Sequence, residues 1–582
     1  MLRGMMMRLL AAHKPAVLAI VVLQLTQTTA NLLLPTLNAA IIDDGIVRGN
    51  TGLILQLGGW MAGIAAVQVA AALAAGYLGA RVAMDLGRRL REELFAKVQV
   101  LSSQEVGSFG VPSLVTRATN DVQQIQALAV LVFTMLVAAP AMGIGGVVLA
   151  LNQDVVLSGI VVAIIPVLVL IMSLIVRRLV PLYREGQVLI DRISRVLREQ
   201  IIGANVIRAF VRQAHEARRF AVVNRQLTRN NLQSALLVAG MLPLIMIVVN
   251  LSSVAVVWFG GHRIQAGHMQ LGSLTAFIAY ILQILIAIMM AMYVLMTAPR
   301  AAVCAERIQA VLDTRPVIED PVISRAGLPH VQRTAGGTVE FRDVTFAYPG
   351  AEAPVLHRIS FTAAPGTTTA IIGSTGSGKS TLLNLLPRFL DATSGDIMIG
   401  GHNVRSLPLH FLRNSISLVP QRAYLFSGTV AENLRIAAPD ASDDDLVRAL
   451  RSAQAEDFVR ALPQGLHSPV SQGGTNFSGG QRQRLCIARA LLRDAPVYLF
   501  DDSLSALDYA TDARLRQSLA PLTRRSTVII VAERIATILD AGLILVLDKG
   551  KLVAQGTHSE LMRTSTVYRE IAASQLALGG RL

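Results

Sequence analysis

The sequence predicts a multidomain membrane protein, an all-α six-helix transmembrane domain followed by an α/β domain of the P-loop type. Three observations lead there. Of 582 residues, 53% are hydrophobic and only 16% charged, with a mean hydropathy of +0.52, values foreign to soluble chains. The N-terminal half carries six long stretches without Asp, Glu, Lys or Arg, and the C-terminal half alternates strand-like and helix-like runs around a glycine-rich segment.

The uncharged stretches are Pro15 to Ile42, Thr51 to Ala80, Val122 to Gln153, Val155 to Val176, Asn231 to Gly261 and His268 to Pro299. Each exceeds the roughly 20 residues that cross a ~30 Å hydrocarbon core as a helix. The spans are placed at about 16–42, 53–80, 124–151, 155–178, 236–260 and 271–298, inside a membrane domain of residues 1–313. Arginine fixes their orientation. Arg81, Arg88, Arg89, Arg91, Lys97 and Arg117 follow span two, and a dense series from Arg177 to Arg229 follows span four. The opposite connections hold only Asp43, Asp44 and Arg48, then Asp154, then Arg263. The positive-inside rule therefore puts both long connections, both termini and the C-terminal domain in the cytoplasm, with the spans in the cell's inner membrane. The +15 net charge is then largely topological; it argues against nucleic acid and for anionic membrane lipid as the surface partner. Met1 to Lys14 reads as a short amphipathic helix on the membrane surface.

Asp85 to Leu101 and Ile190 to Val211 keep helical spacing into the aqueous phase, broken by Gly107, Gly110 and Pro112 in one case and Gly203 in the other. Such extensions project on the order of 25 Å. Within the spans, Gln24, Thr26, Gln27, Thr28, Asn31, Asn250, Ser252, Ser253 and Gln283 either line a cavity or bond helix to helix. No ionisable residue lies mid-span, which favours an apolar or amphipathic cargo over a strongly charged one.

After a proline-bearing linker at residues 314–337, the domain 338–582 begins. Gly373-Ser374-Thr375-Gly376-Ser377-Gly378-Lys379-Ser380-Thr381 follows an apolar strand and opens a helix, the context that makes G-x-x-x-x-G-K-[ST] a phosphate loop. Its glycines let backbone N–H groups converge on phosphates; Lys379 reaches the outer phosphates and Ser380 ligands Mg²⁺. ATP and Mg²⁺ are the expected cofactors. Asp501 ends a second apolar strand, a hard oxygen beside the Ser380 cation site, and Ser478-Gly479-Gly480 opens a helix as an anion site.

The order of these motifs resembles the nucleotide-binding domain of ABC (ATP-binding cassette) transporters, and six helices fused ahead of one such domain resemble a half-transporter of the type IV exporter fold. Tyr348 is similar to the adenine-stacking aromatic and Gln421 to the Q-loop glutamine that touches Mg²⁺. Asn476-Phe477-Ser478-Gly479-Gly480-Gln481 resembles the signature, with Phe477 where leucine is commoner, and Ser505-Ala506-Leu507-Asp508 resembles the D-loop. The resemblance implies coupling helices near Gln104 to Phe109 and Ile207 to Gln213, and a dimer that sandwiches ATP between one chain's phosphate loop and its partner's signature.

Two positions depart from the pattern. Asp502 stands where the family has a glutamate general base, one methylene short, and Glu533 where it has a switch histidine. An ionised glutamate repels phosphate that histidine would hydrogen-bond. The resemblance then implies a heterodimer with a homologous half-transporter subunit, in which this chain's own ATPase site is degenerate and slow. The expected function is ATP-driven translocation of a lipophilic or amphipathic small molecule, drug or lipid, with export as the default. An importer of lipid, fatty acid or siderophore type on the same fold is the first alternative, and an ATP-gated channel or regulatory subunit the second.

Overall fold

The computed structural model describes residues 4, 7, 13–321, 337–505 and 509–579 in two compact units. The first comprises residues 1–100 and 107–314, the second 101–106 and 315–582. The surface helix expected at Met1 to Lys14 falls mostly outside the described residues, as do most of the linker and the end of the D-loop.

Six helical runs in the first unit are long and apolar enough to span a membrane: Lys14–Ile46, Thr51–Val100, Val111–Gln153, Val155–Ile202, Gln213–Gln265 and Leu271–Leu312. At 33 to 53 residues they outrun a bilayer core, so their polar ends continue beyond it. The third run is not one helix. Helix Val122–Met135 stops and Ala138–Gln153 restarts because Pro140 has no N–H to give the Leu136 carbonyl. Gly203 ends helix Val155–Ile202, and a short helix Ala204–Ala209 follows. That short helix overlaps only the start of the Ile207 to Gln213 segment expected, because the backbone turns at Phe210 before helix Gln213–Gln265 starts.

The bundle interior is built from Leu157, Leu168, Met172, Ile245, Val256, Phe277 and Tyr280. Its polar residues divide into two groups. Gln24 Nε2 donates to the Phe133 carbonyl at 3.3 Å, Gln68 Nε2 to Asn31 Oδ1 at 3.2 Å and Gln283 Nε2 to the Asn31 carbonyl at 3.1 Å. Thr36 and Tyr280 share a hydroxyl bond at 2.6 Å. Thr26 and Asn250, by contrast, are exposed in this chain, and Ser252 and Ser253 bond back to the Val248 and Val249 carbonyls. Asp154 caps helix Val155–Ile202 through the Leu157 N–H and pairs with Arg263 at 2.7 Å, so both charges are satisfied where they are half-hidden or buried.

The second unit contains a six-stranded sheet whose order is Lys551–Gly556, Leu543–Asp548, Thr368–Gly373, Thr527–Val531, Val497–Asp501, Ile416–Val419. All pairs are parallel except the first. The four inner strands are nearly continuous runs of buried Ile, Val, Leu and Phe, as a sheet covered on both faces demands. A four-stranded antiparallel sheet, including Val339–Phe346, Leu356–Ala363 and Ser394–Ile399, packs Phe341, Phe346, Ile359 and Ile397 into a core shared with Ile371, Leu499 and Val531 of the six-stranded sheet.

Candidate functional site

Sheet register brings the site together. Asp501 lies level with Val531, and Val531 with Ile371, so Gly373 and Glu533 each emerge two residues beyond one common row. Val419 is level with Phe500, so Gln421 and Asp502 likewise emerge together. Residues from four segments thus meet at the carboxyl ends of adjacent parallel strands, where α/β sheets bind ligands.

The loop after strand Thr368–Gly373 has the shape that phosphates need. Gly376 and Gly378 adopt φ of 82° and 96°. A Cβ on Gly378 would lie 2.7 Å from Leu356 Cδ2. Lys379 folds over the loop, its Nζ donating to the Gly373 and Ser374 carbonyls at 2.8 and 2.9 Å. Burial pushes its pKa down, while Glu533, Asp502 and Asp501 push it up. The Ser377 hydroxyl is buried without a partner. Ser380 Oγ donates to Asp501 Oδ1 at 2.9 Å, placing a hydroxyl and a carboxylate side by side as hard ligands. Tyr348 is exposed at the mouth, with its hydroxyl 3.2 Å from that of Thr381. An orphaned hydroxyl, a caged ammonium and paired oxygens fit a magnesium-bound nucleoside triphosphate.

Asp502 departs from regular backbone at φ 45°, its N–H bonding the Val531 carbonyl at 3.0 Å and its Oδ1 buried without a partner. Burial pushes its carboxyl above the usual range and Glu533 adds to the effect, whereas Ser505 and Gln421 oppose it. Glu533 is exposed, and its charge acts on both Lys379 and Asp502. Asp508 lies outside the described residues.

The signature segment stands apart from this cluster in sequence and is built as a helix N-terminus. Ser478 caps helix Gly479–Leu491, accepting from the Gln481 N–H at 3.3 Å while Gln481 Oε1 accepts the Ser478 N–H at 2.9 Å. This capping box engages Gln481 locally. Phe477 is buried against Phe458, which explains the tolerance for an aromatic there.

Models of two families match, the ABC transporter transmembrane region over residues 17–289 and the ABC transporter domain over residues 356–505. The chain belongs to the ABC transporter family. Among its curated relatives are uncharacterized ABC transporter ATP-binding proteins of Mycobacterium tuberculosis, 45% identical over 99% of this chain and 98% of the relative, and of Bacillus subtilis, 36% identical over 96% of each. An ATP-dependent lipid A-core flippase of Chromobacterium violaceum is 31% identical over 97% of this chain and 94% of its own length. A solved bacterial Atm1-family ABC exporter with ATP bound superposes with a TM-score of 0.80 over 97% of this chain and 99% of that one, at 24% identity. This ABC transporter is thus a multi-pass membrane protein whose second unit is an ATP-binding domain.

Two residues of the transporter with long-range roles belong to no nucleotide-binding motif of the sequence. Glu105, at the start of the short helix Ser103–Phe109, accepts the Ser102 N–H at 2.6 Å and the Val317 N–H at 3.0 Å. Ser102-x-x-Glu105 is a capping-box pattern that could have flagged it. Gln575 touches the backbone on both sides of Arg534, and its only local signal is an amide in line with apolar positions.

Proposed function

We propose that this transporter is one half of a heterodimer that moves an amphipathic or lipophilic molecule outward across the cytoplasmic membrane. The observation that carries it is the acidic pair Asp502 and Glu533 beside Lys379, set against an intact signature helix. The loop N–H groups and Lys379 would hold the triphosphate of ATP; Ser380, Asp501 and Gln421 would hold its Mg²⁺, which neutralises phosphate charge. Asp502 is short for a water on the γ-phosphate, and Glu533 opposes the charge that builds there. This site therefore keeps its nucleotide longer than it cleaves it. Ser478, Gly479 and Gly480 offer their helix N-terminus to the site of a partner subunit that supplies the missing glutamate and histidine.

The cargo assignment draws on the bundle. Away from the buried ion pairs Asp154–Arg263 and Asp121–Arg307, amides and hydroxyls of the bundle face other helices, and Gln24 Oε1 and Gln283 Oε1 are buried acceptors without a hydrogen-bond partner. Such acceptors suit a mostly apolar molecule bearing a few hydrogen-bond donors. The flippase name of the Chromobacterium relative points the same way.

The chain purified alone in lipid nanodiscs should hydrolyse ATP slowly, and co-purification with a homologous subunit carrying glutamate and histidine should restore turnover that lipids or hydrophobic drugs modulate. Brisk hydrolysis by the chain alone would sink the heterodimer. Response only to hydrophilic solutes would sink the cargo assignment.

A further inference from the structure

The C-terminal helix Thr566–Gly579 presents Tyr568, Ile571, Ala572 and Gln575 at positions i, i+3, i+4 and i+7, one continuous face. Tyr568 and Ala572 are buried in the same core as the phosphate-loop strand, and Ile571 packs against it. The Tyr568 hydroxyl also bonds His558 Nδ1 at 2.8 Å, so this end of the chain is anchored rather than frayed. The next position on the face breaks the apolar pattern. Gln575 Nε2 donates to the Glu533 carbonyl at 2.6 Å, and Gln575 Oε1 accepts the Ile535 N–H at 2.8 Å.

One amide thereby grips the backbone on both sides of Arg534. The grip matters because Ala532 to Arg534 form no regular element, and Ile535 opens the short 3-10 turn Ile535–Thr537 whose first N–H groups have no partner within the turn. Glu533 leaves strand Thr527–Val531 within electrostatic reach of Lys379. Held there, its carboxylate competes with the outermost phosphate for the Lys379 ammonium and repels that phosphate directly.

We infer that Gln575 is a positioning residue: by fixing the Glu533 backbone it keeps that carboxylate against the phosphate loop, so docking of the C-terminal helix sets how strongly this site distinguishes ATP from ADP. The inference rests on the nucleotide-site reading of Gly373 to Thr381, and not on the identity or presence of a second subunit. ADP lacks the phosphate on which Glu533 acts, so the ATP-to-ADP affinity ratio isolates the effect from a general loss of stability.

The test measures MgATP and MgADP affinity on the full-length chain in nanodiscs. Gln575→Leu should raise the ratio of ATP to ADP affinity roughly 2- to 5-fold, the range expected for an exposed charge. Glu533→Ala should do the same, and the double variant should do no more than either, as two residues acting through one contact must. Gln575→Glu keeps an acceptor for Ile535 and loses the donor to Glu533; it should move the ratio in the same direction and decides the matter if the leucine variant does not fold. An unchanged ratio in folded variants, or a Gln575 effect that persists in full after Glu533→Ala, overturns the inference. A wild-type chain that binds no MgATP overturns the nucleotide-site reading beneath it.

Discussion

Glu105 Oε1 accepts the backbone N–H of Val317 at 3.0 Å, joining the short helix that follows the second span to the segment that enters the nucleotide-binding domain. The carboxylate is buried, and its other oxygen takes the Ser102 N–H at 2.6 Å. Both neighbours are donors, so an ionised acceptor is required at this point. Glu105→Gln turns an amide NH₂ towards one of them. It should accelerate hydrogen exchange at Val317 by about 10-fold or more, the effect of roughly 1–3 kcal/mol of unsatisfied polar burial. Exchange mass spectrometry of the intact chain reads this directly.

The same contact makes a pH prediction. Burial alone would raise the Glu105 pKa, but the bonds from Ser102 and Val317 outweigh it and leave the group below its ordinary value. A carboxyl depressed on folding stabilises above its unfolded pKa of about 4.3 and loses that contribution as pH falls through the lower folded value. Protection at Val317 should therefore hold from neutral pH down to about 4.3 and fall below it, after correction for intrinsic exchange. In Glu105→Gln the step should vanish.

A second close relationship lies within the bundle. Gly272 begins helix Leu271–Leu312 with its N–H bonded to Asp43 Oδ1 at 2.6 Å, and a Cβ there would lie 2.2 Å from the Ala39 carbonyl oxygen. Gly272→Ala must part helices one and six. A loss of about 2–4 kcal/mol is expected, the range for overpacking with a broken buried bond, and it should appear as a lowered melting temperature in detergent. Gly267→Ala, in open space but at φ 74°, should cost less, about 1 kcal/mol of backbone strain.

Restoring the departed positions should raise catalysis. Asp502→Glu with Glu533→His returns a longer base and a phosphate donor to the same sheet edge, and turnover of the chain alone should rise about 10²-fold or more. Phosphate release under saturating MgATP checks it. No gain from the double variant would place the deficiency elsewhere.

In a co-purified complex, Ser478→Ala or Gly480→Asp should reduce hydrolysis more than Asp502→Asn does. An aspartate at Gly480 puts a negative charge at the positive end of helix Gly479–Leu491, where phosphate of the opposite site would bind. The reverse ranking would assign the two sites the other way round.

What the sequence determined by itself was everything written in short-range pattern. Uncharged runs longer than a bilayer, arginine on one side of them, and G-x-x-x-x-G-K-S between strand and helix are local signals, and they specified six spanning helices, an α/β domain and a phosphate loop. Asp502 and Glu533 were legible because each adjoins a strand whose end is recognisable. Helix interruptions were less so: Pro140 falls where an uncharged run looks unbroken, and only the missing backbone bond divides it. The tertiary structure alone decided the contacts between distant segments. Sheet register brought Gly373, Gln421, Asp502 and Glu533 to one edge. Glu105 meets Val317 across 212 residues and Gln575 meets Glu533 across 42, pairings that no propensity or period encodes. The first arises because the buried Glu105 carboxylate must find donors, the second because the Gln575 amide and the backbone around Arg534 satisfy each other, and only the folded chain brings these partners together.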